Sequence, residues 1–220
     1  MFRIKIQNPE MKLLSASFYQ NEDVVAMAKK LLGKTMVTEI DGVVSSGMIV
    51  ETEAYRGPDD RGCHAYGGRC TERTKTMFYE GGHAYVYICY GVHPMVNVVT
   101  GPEGFAHAVL IRAIQPLEGL EKMMDRRNIN LNKPVLVNGP GKLTVALGIN
   151  KEMDGQKFYE INSPLRLYED NEIPLHDIIS GPRVGMSKHV GECSHRPWRF
   201  YVKNNAWVSK PLVVDYRGKW

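Results

Sequence analysis

The chain has 220 residues, 43% of them apolar and 24% charged, with 21 Gly and 12 Pro. This is the composition of an ordinary globular protein rich in turns. Collagen, coiled coil and intrinsic disorder are excluded, and a chain this long buries about 70% of its unfolded surface without needing disulfides.

The net charge of +4 is too small to mark a polyanion binder by itself. Met1–Leu14 is interrupted by Arg3, Lys5, Glu10 and Lys12, so no signal peptide is expected and the chain reads as cytosolic. Asn21-Glu22-Asp23 ahead of Val24, Val25, Met27, Ala28, Leu31 and Leu32 predicts a capped amphipathic helix that stops at Gly33. Thr35–Ile40 and Val43–Tyr55 read as strands joined by an Asp41-Gly42 hairpin turn. Tyr55–Thr76 is a polar loop carrying Arg56, Arg61, Arg69, Arg73 and Lys75, and loops of this length are often functional.

Ala84–Tyr90 and Met95–Thr100 predict a second hairpin, with Gly91-Val92-His93-Pro94 at its turn. The stretch Gly81–Pro102 lacks Asp, Glu, Lys and Arg and is long enough to span a bilayer, but His83, His93, Pro94, Asn97 and its glycines argue against a membrane helix. Ala108–Ile114 reads as a strand. Pro116 is placed to begin a helix with Leu117, Leu120, Met123 and Met124 on one face. Asn138–Leu147 reads as a short helix ended by Gly148, and Leu165–Tyr168, Phe200–Val202 and Trp207–Val208 as strands.

Charge is unevenly spread along the C-terminal third. Residues 151–180 hold seven acids and three bases and read as an insertion, whereas residues 183–210 hold six bases and one acid. The basic stretch is either a solvated face or a phosphate-binding surface. Without a repeat or a linker, residues 1–220 are expected to form one domain. Cys63, Cys70, Cys89 and Cys193 form no CxxC pair and match no common zinc spacing, so reduced thiols, no metal and no cofactor are expected.

Two segments could carry chemistry. In Ile49-Val50-Glu51-Thr52-Glu53-Ala54-Tyr55 a regular strand would point Ile49, Glu51, Glu53 and Tyr55 to one face. Two adjacent carboxylates beside an aromatic suit general acid or base work, although a solvated face paired with arginines fits as well. In Tyr85-Val86-Tyr87-Ile88-Cys89-Tyr90-Gly91, Tyr87 and Tyr90 would point apart unless the strand ends near Cys89. Such tyrosines are either β core or a platform for stacking bases. Gly141-Lys142 is not a Walker loop, because Leu136 and Leu143 replace its first Gly and its Ser/Thr; Gly139-Pro140-Gly141 could still present amides to a phosphate. The zinc-deaminase signature is absent.

The runs Glu51–His64, Met77–Gly91, Val109–Glu121, Asn138–Leu143 and Arg183–Val202, taken in that order, resemble the alkyladenine (3-methyladenine) DNA glycosylase family. The resemblance implies a single α+β domain, a curved antiparallel sheet flanked by helices with a protruding β-hairpin. It also implies a monofunctional base-excision repair enzyme. Such an enzyme flips alkylated or deaminated purines (3-methyladenine, 7-methylguanine, ethenoadenine, hypoxanthine) from duplex DNA and hydrolyses the N-glycosidic bond.

Carried over by position, Glu53 is the general base and Arg112 lies near the attacking water. Tyr55 stacks on one face of the base, with His64 and Tyr87 on the other, and Asn97 crowds the guanine amino group. Tyr90 fills the vacated stack, and Arg69 and Lys142 touch phosphates. The partner implied is double-stranded DNA, bound by a monomer without obligate protein partners. The expected location is the bacterial nucleoid, or the nucleus in a eukaryote. A catalytically idle nucleic-acid binder is disfavoured by the retained Glu53, and a free-nucleoside hydrolase by the basic, arginine-bearing loop.

Overall fold

The computed structural model describes residues 11–212; most of Met1–Leu14 lies outside them. Eight antiparallel strands form one sheet. They are β1 (Thr35–Ile40), β2 (Val43–Arg56), β3 (Ala84–Cys89), β4 (His93–Thr100), β5 (His107–Glu118), β6 (Leu165–Tyr168), β7 (Ile178–Gly181) and β8 (Arg199–Val202). Their main order is β3-β4-β5-β2-β1-β6, with β8 joining β2 to β7. The long β2 organises this arrangement. It pairs with β5 from Ser46 to Arg56, while its opposite edge pairs first with β1 (Val43–Met48) and then with β8 (Glu51–Glu53).

Three helices, α1 (Val24–Lys30), α2 (Leu120–Arg127) and α3 (Pro140–Leu147), complete an α+β fold. Asp23 caps α1 by accepting from the amides of Val25 and Ala26, two donors that the helix itself cannot satisfy. Met27 and Leu31 from α1, Ile49, Ile111, and Leu143 and Leu147 from α3 meet in the main core. No described helix is long and apolar enough to cross a membrane.

Several expectations change. Pro116 starts no helix: it lies in β5, beside an irregularity opposite Ser46 and Gly47, and α2 begins after Gly119, which has φ +75°. β5 pairs with β4 only along residues 107–110, so Pro116 has a free edge where its missing N–H removes no ladder bond. Trp207–Val208 is a turn, because Asn205 accepts from the Trp207 amide through its side chain and from the Val208 amide through its carbonyl. Ile178–Gly181 is a strand that the sequence reading did not find.

The acidic stretch 151–180 is no insertion. It supplies β6, the buried Phe158, and Asp154, whose carboxylate accepts from the Val86 amide in β3. In the second hairpin, His93 and Pro94 belong to β4 and the turn is Tyr90–Val92. Because β4 pairs with β5 only from Asn97 onward, the outer half of this hairpin projects from the sheet. The N-terminal turn of α3 supports it, with the Thr144 hydroxyl donating to the Pro94 carbonyl at 2.8 Å.

Candidate active site

The centre of β2 is irregular, with register shifts between Ile49 and Glu51 and between Glu51 and Thr52. The expected alternation therefore fails at Ile49. That residue lies in the main core together with Ala54, and Thr52 donates to the Ala28 carbonyl of α1. Glu51, Glu53 and Tyr55 converge instead on Arg112 of β5. Both carboxylates are fully buried, and Arg112 joins them, with Nε 2.9 Å from Glu51 and Nη1 3.3 Å from Glu53. Burial works against the Arg112 charge, but Glu53 and Glu51 outweigh it and hold the guanidinium firmly protonated.

The two acids differ in the donors they meet. A carboxylate offers about four lone-pair sites. Glu51 receives four donors: Arg112 Nε, Arg199 Nε, and the amide and hydroxyl of Ser209. Glu53 accepts the Tyr55 hydroxyl at 2.8 Å, the Val184 amide at 2.7 Å and the looser Arg112 contact. Three of the Glu51 donors crowd Oε1 and one reaches Oε2, all from buried groups, whereas Glu53 Oε2 carries only the hydroxyl of Tyr55, a residue of the neighbouring pocket.

Beside this cluster is a pocket of 90 Å³ lined by Tyr55, His64, Tyr85, Tyr87 and Asn97, among others. His64 comes from the long loop after β2, Tyr85 and Tyr87 from one face of β3, and Asn97 from β4. Tyr85 is thus a lining residue that the family correspondence left out, although its shared face with Tyr87 was legible. His64 packs edge-on against Tyr87 with centroids 4.6 Å apart, and its Nδ1 lies 2.9 Å from the Tyr85 hydroxyl. Asn97 is held by its side-chain amide, which donates to the Tyr85 carbonyl at 3.0 Å. Burial, followed by the charge of Arg73, lowers the His64 imidazole to about 4. Burial pushes the Tyr87 hydroxyl up to about 12, and burial followed by Glu53 keeps the Tyr55 hydroxyl protonated.

Two of the six bases in the stretch 183–210, Arg183 and Arg199, are buried and form no surface. Arg183 is buried in a bidentate pair with the equally buried Asp60, donates to the carbonyls of Ala54 and Cys193, and stacks 4.6 Å from the Tyr55 ring centre. It anchors the segment whose next residue, Val184, binds Glu53. Arg199 is buried against Glu51 and the carbonyls of Ser209 and Pro211. Asp60, Arg183, Val184 and Ser209 were missed as site residues, and the only sequence signal was that the first three lie in family-like runs, Asp60 in Glu51–His64 and Arg183 and Val184 in Arg183–Val202.

The structure thus brings together Glu53, Arg112, Tyr55, His64, Tyr87 and Asn97. It leaves Tyr90, Arg69 and Lys142 outside the pocket. Tyr90 sits at the hairpin tip with φ +50° and 93% exposure, since β3 ends at Cys89. Arg69 is exposed on the long loop, and Lys142, in the first turn of α3, donates to Asn138 at 3.1 Å. Among the described residues no group of three potential metal ligands occurs, and burial pushes the Cys63 thiol up to about 12.

Comparison with known proteins agrees with this architecture. The family model described as methylpurine-DNA glycosylase matches residues 17–206. Similar proteins occur in Chlamydia pneumoniae (47% identical over 191 residues, 86% of this chain and 95% of the relative) and Bacillus mycoides strain KBAB4 (45% over 201 residues, 88% and 98%). Another occurs in Chlamydia felis strain Fe/C-56 (46% over 192 residues, 86% and 96%). Each of the three is named "Putative 3-methyladenine DNA glycosylase". The chain therefore belongs to the methylpurine-DNA glycosylase family, a family of N-glycosyl hydrolases.

Proposed function

We propose that this protein excises alkylated and deaminated purines from duplex DNA by flipping them out and hydrolysing the N-glycosidic bond, leaving an abasic site. One observation carries the reading: a buried carboxylate, Glu53, is hydrogen-bonded to Tyr55 in the wall of an aromatic pocket beside a hairpin that exposes Tyr90. In this reading Glu53 accepts a proton from water attacking C1′ and offsets the positive charge that grows on the sugar. Arg112 orients Glu53 and the water. Tyr55 stacks on one face of the flipped purine, with His64 and Tyr87 on the other, and Asn97 meets the exocyclic amino group of guanine and disfavours it.

Tyr90 enters the minor groove and occupies the gap left by the base, while Arg69 and Lys142 hold phosphates. Flipping costs a few kcal/mol and is easiest for damaged or mispaired bases, which gives selectivity before any bond breaks. The protein acts as a monomeric single domain without a cofactor, in the compartment that holds the DNA. The test is base release from duplex oligonucleotides each carrying one of 3-methyladenine, 7-methylguanine, ethenoadenine or hypoxanthine, with the released bases identified by mass. Release confined to free nucleosides, or no release at all, would sink the proposal.

A further inference from the structure

Arg73 stands exposed on the loop between β2 and β3, against the tyrosine wall of the pocket. Its guanidinium carbon is 5.3 Å from the centre of the Tyr87 ring, and that ring packs on His64 and Tyr85 at 4.6 and 5.4 Å. Arg112, Arg183 and Arg56 each hold a carboxylate, whereas Arg73 makes no ion pair among the described residues. Its charge thus meets solvent and the pocket lining, the Tyr87 ring and the Tyr85 hydroxyl, with no carboxylate beside it, and at this range salt screens it incompletely.

Purine lesions differ in charge. Alkylation at N3 or N7 makes the base a cation, while hypoxanthine and ethenoadenine are neutral. In hydrolysis the C1′–N9 bond breaks and its electron pair leaves with the purine. The water oxygen bonds to C1′, and the water proton passes to Glu53. A cationic purine therefore departs neutral, while a neutral purine departs as an anion and then takes a proton from solvent. A fixed guanidinium beside the pocket opposes entry of the cation and stabilises the forming anion.

On the glycosylase reading given above, we infer that Arg73 is a specificity-determining residue that shifts the enzyme toward neutral purine lesions and away from cationic ones. It acts through the Tyr87 wall, without touching the base. This role also supplies electrostatic assistance to a neutral leaving group.

The test compares single-turnover base release from duplexes carrying one hypoxanthine or one 7-methylguanine, for the unmodified protein, Arg73→Gln and Arg73→Lys. Arg73→Gln is expected to slow hypoxanthine release about tenfold while leaving 7-methylguanine release unchanged or faster. Arg73→Lys keeps the charge and should retain most of the original ratio. Equal losses on both lesions, together with a salt slope of binding reduced by about one phosphate contact, would make Arg73 a backbone contact and overturn the inference. An unmoved ratio, or an unmodified protein that releases 7-methylguanine but no hypoxanthine, would overturn it too. Failure of the glycosylase reading shows separately, as no release of either base by the unmodified protein.

Discussion

Tyr55 donates its hydroxyl to Glu53 Oε2 at 2.8 Å, so one hydrogen bond sets both the pocket wall and the adjoining acid. The bond persists at all ordinary pH values because burial, and then the Glu53 charge, hold the phenol protonated. With Val184 on the other oxygen, Glu53 has little rotational freedom. A general base needs this kind of fixed orientation toward the proton it accepts.

Glu53→Gln should leave lesion-DNA binding roughly intact and slow base release by about 10²–10⁴-fold, measured under single turnover. Glu51→Gln should act differently. It puts an amide donor among four donors and strips Arg112 and Arg199 of their shared buried counter-charge, so the loss should appear in stability, about 3–5 kcal/mol by urea denaturation. Equal kinetic losses in two equally stable variants would show that the assignment within the carboxylate pair is wrong.

The Asp60–Arg183 pair is a second point of failure. Asp60→Asn leaves a buried guanidinium without its charge partner and should cost about 3–5 kcal/mol. Trp198, 5.4 Å from the Arg183 guanidinium, offers a fluorescence probe of the unfolding transition. A loss below about 1 kcal/mol would be the behaviour of an exposed pair and would contradict the burial described here.

The legible parts of the fold were those where local chemistry decides: the Asp23 cap, the Asp41-Gly42 hairpin, the end of β3 ahead of Tyr90. Long-range pairing decided the rest. Pro116 looks like a helix start until a free sheet edge makes its missing N–H harmless. Ile49 and Glu51 share parity in sequence, but an irregularity in the β2–β5 ladder separates their faces. Arg183 and Arg199 look like surface charge because their partners, Asp60 and Glu51, lie more than 100 residues away. The pocket residues were legible only through family-like runs, since no spacing rule brings His64 to Tyr87.

Tyr90→Ala should weaken binding to duplex lesions and slow their excision, with a smaller effect on single strands that have no intact stack to refill. Tyr87→Ala should impair both substrates, because base stacking is worth about 1–3 kcal/mol in either. If Tyr90→Ala proved as harmful on single strands as on duplex, the side chain would belong to the pocket and not to the groove.

His64 should titrate near 4, against an unfolded value of 6.5, owing to burial and then to Arg73. The contribution of the neutral ring to stability is therefore complete above pH 6.5. It is lost as the pH falls from there toward 4, where the unfolded chain takes up the proton first. Imidazole NMR shifts give the value directly, and His64→Gln should flatten this part of the stability curve. A midpoint close to 6.5 would mean that the ring is solvated and insulated from Arg73.

On the proposal that water is the nucleophile, borohydride should trap no covalent enzyme–DNA adduct, and strand cleavage at the product should need added base. EDTA should leave single-turnover rates unchanged at matched ionic strength. A trapped adduct would demand an amine at C1′, and a rate restored by zinc would direct attention to Cys63, His64 and Cys70.

Two of the four donors to Glu51 belong to Ser209, 158 residues along the chain, and the amide that holds Glu53 comes from 131 residues away. During synthesis at about 5–20 residues per second, β2 leaves the ribosome roughly 8–30 s before Ser209 is made. For much of that interval the acids have Tyr55 and Arg112 at most, without the donors from Val184, Arg199 and Ser209. A chain terminated before Val184 would therefore carry both carboxylates but lack the amide that holds Glu53 and the Ser209 donors that hold Glu51.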